Sequence, residues 1–124
     1  MEVIRGADAR HTETPNAVMT TYASPSQGGS ARSLWRVEMA PGAQGPVHAM
    51  DSEQTWTVLR GSATVTVAGE RLDLASGDTV VIPCALERQI AADPRDGLAA
   101  IVSGSGDSRA SSPGHETAVP PWIA

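Results

Sequence analysis

The stretch GPVHAMDSEQTWTVLRG, Gly45 to Gly61, decides how the rest of the chain is read. Gly45-Pro46 opens it as a turn, and Gly61 closes it after the β-branched and apolar run Thr55, Trp56, Thr57, Val58, Leu59. The spacing predicts turn, strand, bend, strand, turn: a hairpin. Side chains alternate faces along a strand, which places His48 with Met50 on the first arm and Gln54 with Trp56 and Val58 on the second. An imidazole, a thioether, a carboxamide and an indole then converge on one interior. A lone histidine in such a place is more often a satisfied core or rim residue than a catalyst, and that reading stands beside the functional one.

Working outward, residues 77–83 (GDTVVIP) form a Gly-Asp turn, a short β-branched strand and a stop at Pro83. Leu34 to Met39 alternates, with Trp35, Val37 and Met39 on one face, which is the period of a half-buried strand. Ala63, Val65 and Val67 alternate with Thr64 and Thr66, and a turn at 68–70 leads to Leu72 and Leu74, a regular hairpin. Further strands are expected at 17–22, 79–82, 87–91 and 98–102. No helical period runs for long anywhere. The turns recur at the spacing of an all-β sandwich or barrel.

The two central stretches resemble the two motifs of the cupin superfamily. Against the first motif, His48 is the first histidine, Met50 stands for the second, Gln54 stands for the glutamate, and Gly61 is the closing glycine. Against the second, Gly77 and Pro83 match, Ala85 stands for a glycine and Arg88 for the metal-binding histidine. The resemblance spans roughly residues 30–103 and is stronger at scaffold positions than at metal positions. It implies a jelly-roll β-barrel of two antiparallel sheets, with His48, Met50, Gln54 and Arg88 facing the interior. It also implies a homodimer in which the N-terminal strand pairs with a partner subunit.

With 124 residues and 40% hydrophobic content, the chain fits one compact domain. The expected organisation is an N-terminal arm or short edge element at 1–15, a barrel at 16–103 and a tail at 104–124. That tail is rich in Ser, Gly and Pro, and it docks, on the barrel or on a neighbouring subunit, through Trp122 and Ile123. The net charge of −5 and the absence of a basic stripe argue against nucleic acid as a partner. No stretch reads as a signal peptide or membrane span, and a lone Cys84 makes no intramolecular disulfide, so a cytoplasmic protein with no membrane partner is expected. Cys84 is read as a buried, inert thiol. All nine basic residues are Arg, which removes any lysine Schiff base or lysine general base; the Arg and Ala bias points to a GC-rich bacterial source.

In a metal-binding cupin, imidazoles and a carboxylate hold a divalent ion. Here a thioether and a neutral carboxamide are poor ligands for a hard cation, and a guanidinium has no lone pair to give. No cofactor is therefore expected; a divalent metal would need His48 with Gln54 or Glu53, with Asp51 as a further carboxylate if the bend differs. Arg88 in an apolar interior needs partners, either a carboxylate of the protein such as Glu53 or Glu87, or an anionic or carbonyl oxygen brought by a ligand. His48, Gln54 and Arg88 are the candidate catalytic residues: a base that titrates near neutrality, an orienting amide and an anion stabiliser. Met50, Trp56, Trp35 and Tyr22 are the candidate substrate-binding residues. Core filling competes for each of these side chains, and His115 is read as solvated.

Three function classes follow for a small-molecule ligand. The first is a metal-independent isomerase, cyclase or lyase of bacterial specialised metabolism, acting on a polyketide-like, carbonyl or anionic substrate; the resemblance permits it because aromatic polyketide cyclases and epimerases occur among cupins lacking a full ligand set. The second is a metal-dependent dioxygenase with irregular ligands. The third is a non-catalytic small-ligand binding protein.

Overall fold

The computed structural model describes residues 1–124. A single helical turn at Gly6–Asp8 precedes ten strands: β1 Arg10–Glu13, β2 Val18–Ala23, β3 Arg32–Met39, β4 Ala49–Met50, β5 Gln54–Val67, β6 Glu70–Ala75, β7 Thr79–Ile82, β8 Arg88–Ala92, β9 Leu98–Ser105 and β10 Ala110–Ser111. The all-β reading holds. Two antiparallel sheets enclose the core, one in the order β1, β2, β3, β9, β5, β7 and the other with β6 and β8 on either side of β5. No helix is long and apolar enough to cross a membrane.

Strand β5 belongs to both sheets, and Gly61 is the reason. The first half, Gln54 to Thr57, pairs with β7, and the half from Ser62 to Val67 pairs with β6 and β8. Gly61 has φ +72°, a left-handed conformation that lets the strand bend from one sheet into the other. A Cβ there would overlap the carbonyl oxygen of Gly97. Gly61 is thus a kink within a strand rather than the end of a hairpin. The hairpin expected over 45–61 is corrected accordingly: β4 pairs with β10, as Met50 with Ala110 and Ala49 with Ser111, while β5 pairs elsewhere.

The period-two pattern read in β3 is kept. Trp35, Val37 and Met39 are buried while Leu34 and Glu38 face out. They join Val58, Val65, Leu74, Ile82, Ile90, Leu98 and Val102 in one core, each fully buried aliphatic side chain contributing about 1.5–3 kcal/mol. The turn between β5 and β6 has positive φ at Ala68 and Gly69, the mirror-image geometry that a two-residue hairpin requires. Strand β2 pairs with β1 and β3 of its own chain.

The last residues fold back on the same barrel. Ile123 is 1% exposed and packs in the core, and Trp122 is half-buried against it. Hydroxyls hold this segment: Thr21 donates to Trp122 O at 2.7 Å, Ser33 to Ile123 O, and Ser24 and Ser26 to Ala124 O at 2.8 and 2.7 Å. Arg10 Nη2 adds a bond of 2.9 Å to Ala124 O. Backbone oxygens that no strand ladder covers are thereby satisfied.

Candidate functional site

Between the sheets lies a cavity of about 340 Å³, at the small end of ligand pockets, which run to roughly 1,000 Å³. Its walls are Trp35, Val37 and Met39 of β3, Met19 of β2, Met50 of β4, Trp56 of β5 and Ile90 of β8, closed by Pro120, Trp122 and Ile123 of the terminal segment. Polar side chains break the apolar lining at Thr14, Asn16, His48, Gln54 and Ser112. No acidic, Arg or Lys side chain lines it, and His48 is its sole titratable side chain.

His48 is set in place by its backbone. It forms a reciprocal pair with Arg88, His48 N to Arg88 O at 3.0 Å and Arg88 N to His48 O at 2.8 Å. The ring is oriented by Nδ1, which lies 2.9 Å from Pro46 O. A carbonyl oxygen only accepts, so Nδ1 carries the proton and Nε2 keeps its lone pair. Burial lowers the His48 pKa from its ordinary value of 6.5, the bond to Pro46 opposes this, and the charge of Arg88 lowers it further. The imidazole is accordingly neutral near pH 7, with one nitrogen free as a base.

Gln54, 3% exposed, is oriented by two donors. Arg88 Nη1 and Trp56 Nε1 each lie 3.3 Å from Gln54 Oε1. Both groups only donate, so the amide oxygen must face them, which leaves Nε2 as the donor end of the amide, outside this pair of bonds. His48 and Gln54 thus bring an imidazole and an oriented amide to a largely apolar cavity.

Arg88 stands behind this wall. It is 1% exposed and absent from the cavity lining. Alternation along β8 turns Arg88, Ile90 and Ala92 inward, which is why a charged side chain enters the core. Its guanidinium donates to Gln54 Oε1, to Pro83 O at 3.2 Å and to Leu86 O at 3.4 Å, and burial lowers its pKa. The carboxylate pairing weighed for it does not occur: Glu53 and Glu87 are exposed, and the ion pairs of the protein are Arg36–Glu38 and Arg71–Asp73. Arg88, a candidate catalytic residue from the sequence, thus lies behind Gln54 and outside the cavity lining.

A family model described as a cupin domain matches residues 35–103. The chain belongs to the cupin family. Among solved structures, this cupin is similar to the polyketide cyclase RemF from Streptomyces resistomycificus, with a TM-score of 0.71 and 19% identity over 85% of this chain and 79% of that one. An RmlC-like cupin from Shewanella frigidimarina gives a TM-score of 0.71 at 20% identity, over 85% of this chain and 90% of that one. A salicylate 1,2-dioxygenase from Pseudoaminobacter salicylatoxidans gives 0.72 at 17% identity, over 86% of this cupin but 31% of the longer chain. At such identities the likeness is one of fold. No curated protein sequence matches.

The donor set of this cupin does not suit a divalent metal. At the motif positions stand one imidazole, the Met50 thioether, a carboxamide whose oxygen is engaged by two donors, and a cation. Nowhere do three His, Cys, Asp or Glu side chains gather as a ligand group. The carboxylates considered as substitutes are used elsewhere: Asp51 Oδ1 accepts from Arg109 N at 2.8 Å, and Glu53 faces solvent.

Of the residues singled out in the sequence, the structure brings His48, Met50, Gln54, Trp56 and Trp35 to one cavity. Tyr22 does not line it. Met19 and Thr21 take the inward positions of β2, so Tyr22 falls on the other face. Cys84, expected to be buried, is exposed beside Pro83. Met19, Met39 and Ile90 were not singled out as walls, although the alternation of their strands placed them inward. The role of Pro120 needed the path of the tail, which no local pattern encodes.

Proposed function

We propose that this cupin is a small-molecule enzyme working without a metal, an isomerase, cyclase or lyase that moves a proton beside a carbonyl group of an apolar substrate. The observation that carries the reading is that His48, with Nδ1 held on Pro46 O, and Gln54, with Oε1 held by Arg88 and Trp56, line one apolar cavity. The substrate carbonyl oxygen accepts from Gln54 Nε2. His48 Nε2 takes a proton from the adjacent carbon, the C–H electron pair becomes the enolate double bond, and the charge gathers on the oxygen held by Gln54. Return of the proton to another atom gives isomerisation; attack of the enolate carbon on a second carbonyl restores the first C=O, moves the second π pair onto its oxygen, and that alkoxide takes the proton back from His48, which gives ring closure. One of the solved neighbours is a polyketide cyclase, and a flexible chain of enolisable carbonyls is the substrate class we carry over from it.

Solvent deuterium incorporation tests this. Apolar 1,3-diketones and aryl ketones sized for the cavity are incubated in D₂O with wild-type protein and with His48→Asn, both checked for fold by circular dichroism. The expected result is exchange by the wild type that falls about 100-fold or more in the variant, the range of a lost general base. Exchange no faster than in buffer, or equal in both proteins, would overturn the proposal. A ligand that stabilises the fold and is recovered without deuterium would instead mark a non-catalytic binding protein.

A further inference from the structure

We propose that Arg88 is a built-in cation that makes the cavity take its ligand as an anion: an apolar weak acid of the enol or phenol type, held as the conjugate base with its oxygen on Gln54 Nε2. The inference rests on the cavity assigned to the proposed function. It concerns which form of the ligand is held rather than whether a reaction follows.

The guanidinium is buried without a counter-ion. All three of its acceptors, Gln54 Oε1, Pro83 O and Leu86 O, are neutral oxygens. No carboxylate answers it: Glu53, beside Gln54, is exposed, Glu87 is exposed in a small polar recess that His48 also lines, and Asp51 is bonded to the backbone of Arg109. A buried charge with no opposite charge is costly, and an anion on the far side of Gln54 would offset that cost. The amide is the connection. With its oxygen held on the Arg88 side, its positive N–H end faces the cavity, so the dipole and the charge act in the same direction. The charge reaches the cavity wall, since it also disfavours protonation of His48, although less than burial does. No acidic side chain lines the cavity to compete with the ligand. At the motif position where a metal ligand is customary, a fixed cation thus stands in for a bound one.

Burial in an apolar cavity by itself raises the pKa of a phenol, whereas a nearby buried cation lowers it, so the sign decides. The probe is 4-nitrophenol, whose acid and anion differ in absorption, titrated with the full-length protein at saturation. The expected result is a bound pKa at least about one unit below that of the free probe, which is a tenfold preference for the phenolate. Arg88→Lys keeps the preference and Arg88→Met loses it. A bound pKa equal to or above the free value overturns the inference in the wild type alone, whatever the folding of the variants. Lack of binding by either form overturns it as well. Phenolate preference without deuterium exchange leaves this inference standing and removes the enzymatic one; exchange without the preference does the reverse.

Discussion

Gln54→Leu isolates the buried polar cluster in a single side chain of similar volume. In the wild type Gln54 Oε1 satisfies Arg88 Nη1 and Trp56 Nε1, both at 3.3 Å. Leucine leaves the Arg88 donor facing hydrocarbon. Stranding a buried charged donor costs about 1.5–3 kcal/mol, and the half-buried indole N–H adds about 1 kcal/mol or less because water can reach it. The expected loss is therefore about 2–4 kcal/mol, a large share of the roughly 5–15 kcal/mol that holds a domain folded. The double variant Gln54→Leu/Arg88→Met replaces both partners by apolar groups and is expected within about 1 kcal/mol of wild type, since a buried polar pair is often matched by well-packed hydrocarbon. Urea unfolding followed by tryptophan fluorescence gives all four corners of the cycle. A single-variant loss under about 0.5 kcal/mol, or a double variant as unstable as the sum of the singles, would refute the reasoning.

Gly61→Ala should destabilise by about 3 kcal/mol or more, since it combines a left-handed φ with a Cβ driven into Gly97 O, and a thermal melt close to wild type would count against the shared-strand account. Ala85 has φ +67° where the motif has glycine, so Ala85→Gly should stabilise by about 0.5–1 kcal/mol, read as a higher urea midpoint with unchanged slope. Because the folded pKa of His48 lies below its unfolded 6.5, the unfolded chain binds the proton first on acidification. Stability is full above pH 6.5, falls as the pH drops towards the folded pKa, and His48→Asn should flatten that part of the profile; an unchanged slope would contradict it.

Strand periodicity made most of the barrel legible, because burial on one face leaves a period-two mark at Trp35, Val37 and Met39 and again at Ala63, Val65 and Val67. The break came at Gly61. A glycine after an apolar run reads as a turn, and only the pairing of both halves of β5 shows that the strand continues through it. Candidate residues with a chemical signature, His48 and Gln54, were legible as types; their states were not. The tautomer of His48 depends on Pro46 O two residues away, and the amide orientation of Gln54 depends on Arg88, distant in sequence and brought near by β8. Arg88 itself was legible as an unusual core cation, but its lack of a carboxylate partner is a fact of three dimensions. Tyr22 was misplaced because a strand with mixed polar residues on both faces gives no clear inward side, and the two registers differ by one residue.

At neutral pH His48 is expected to offer an unprotonated Nε2 to the cavity. Long-range ¹H–¹⁵N NMR of the imidazole, followed from pH 8 down through about pH 5, tests it directly. The expected result is the Nδ1–H tautomer with a midpoint below 6.5. An Nε2–H tautomer, or a midpoint at or above 6.5, would contradict it.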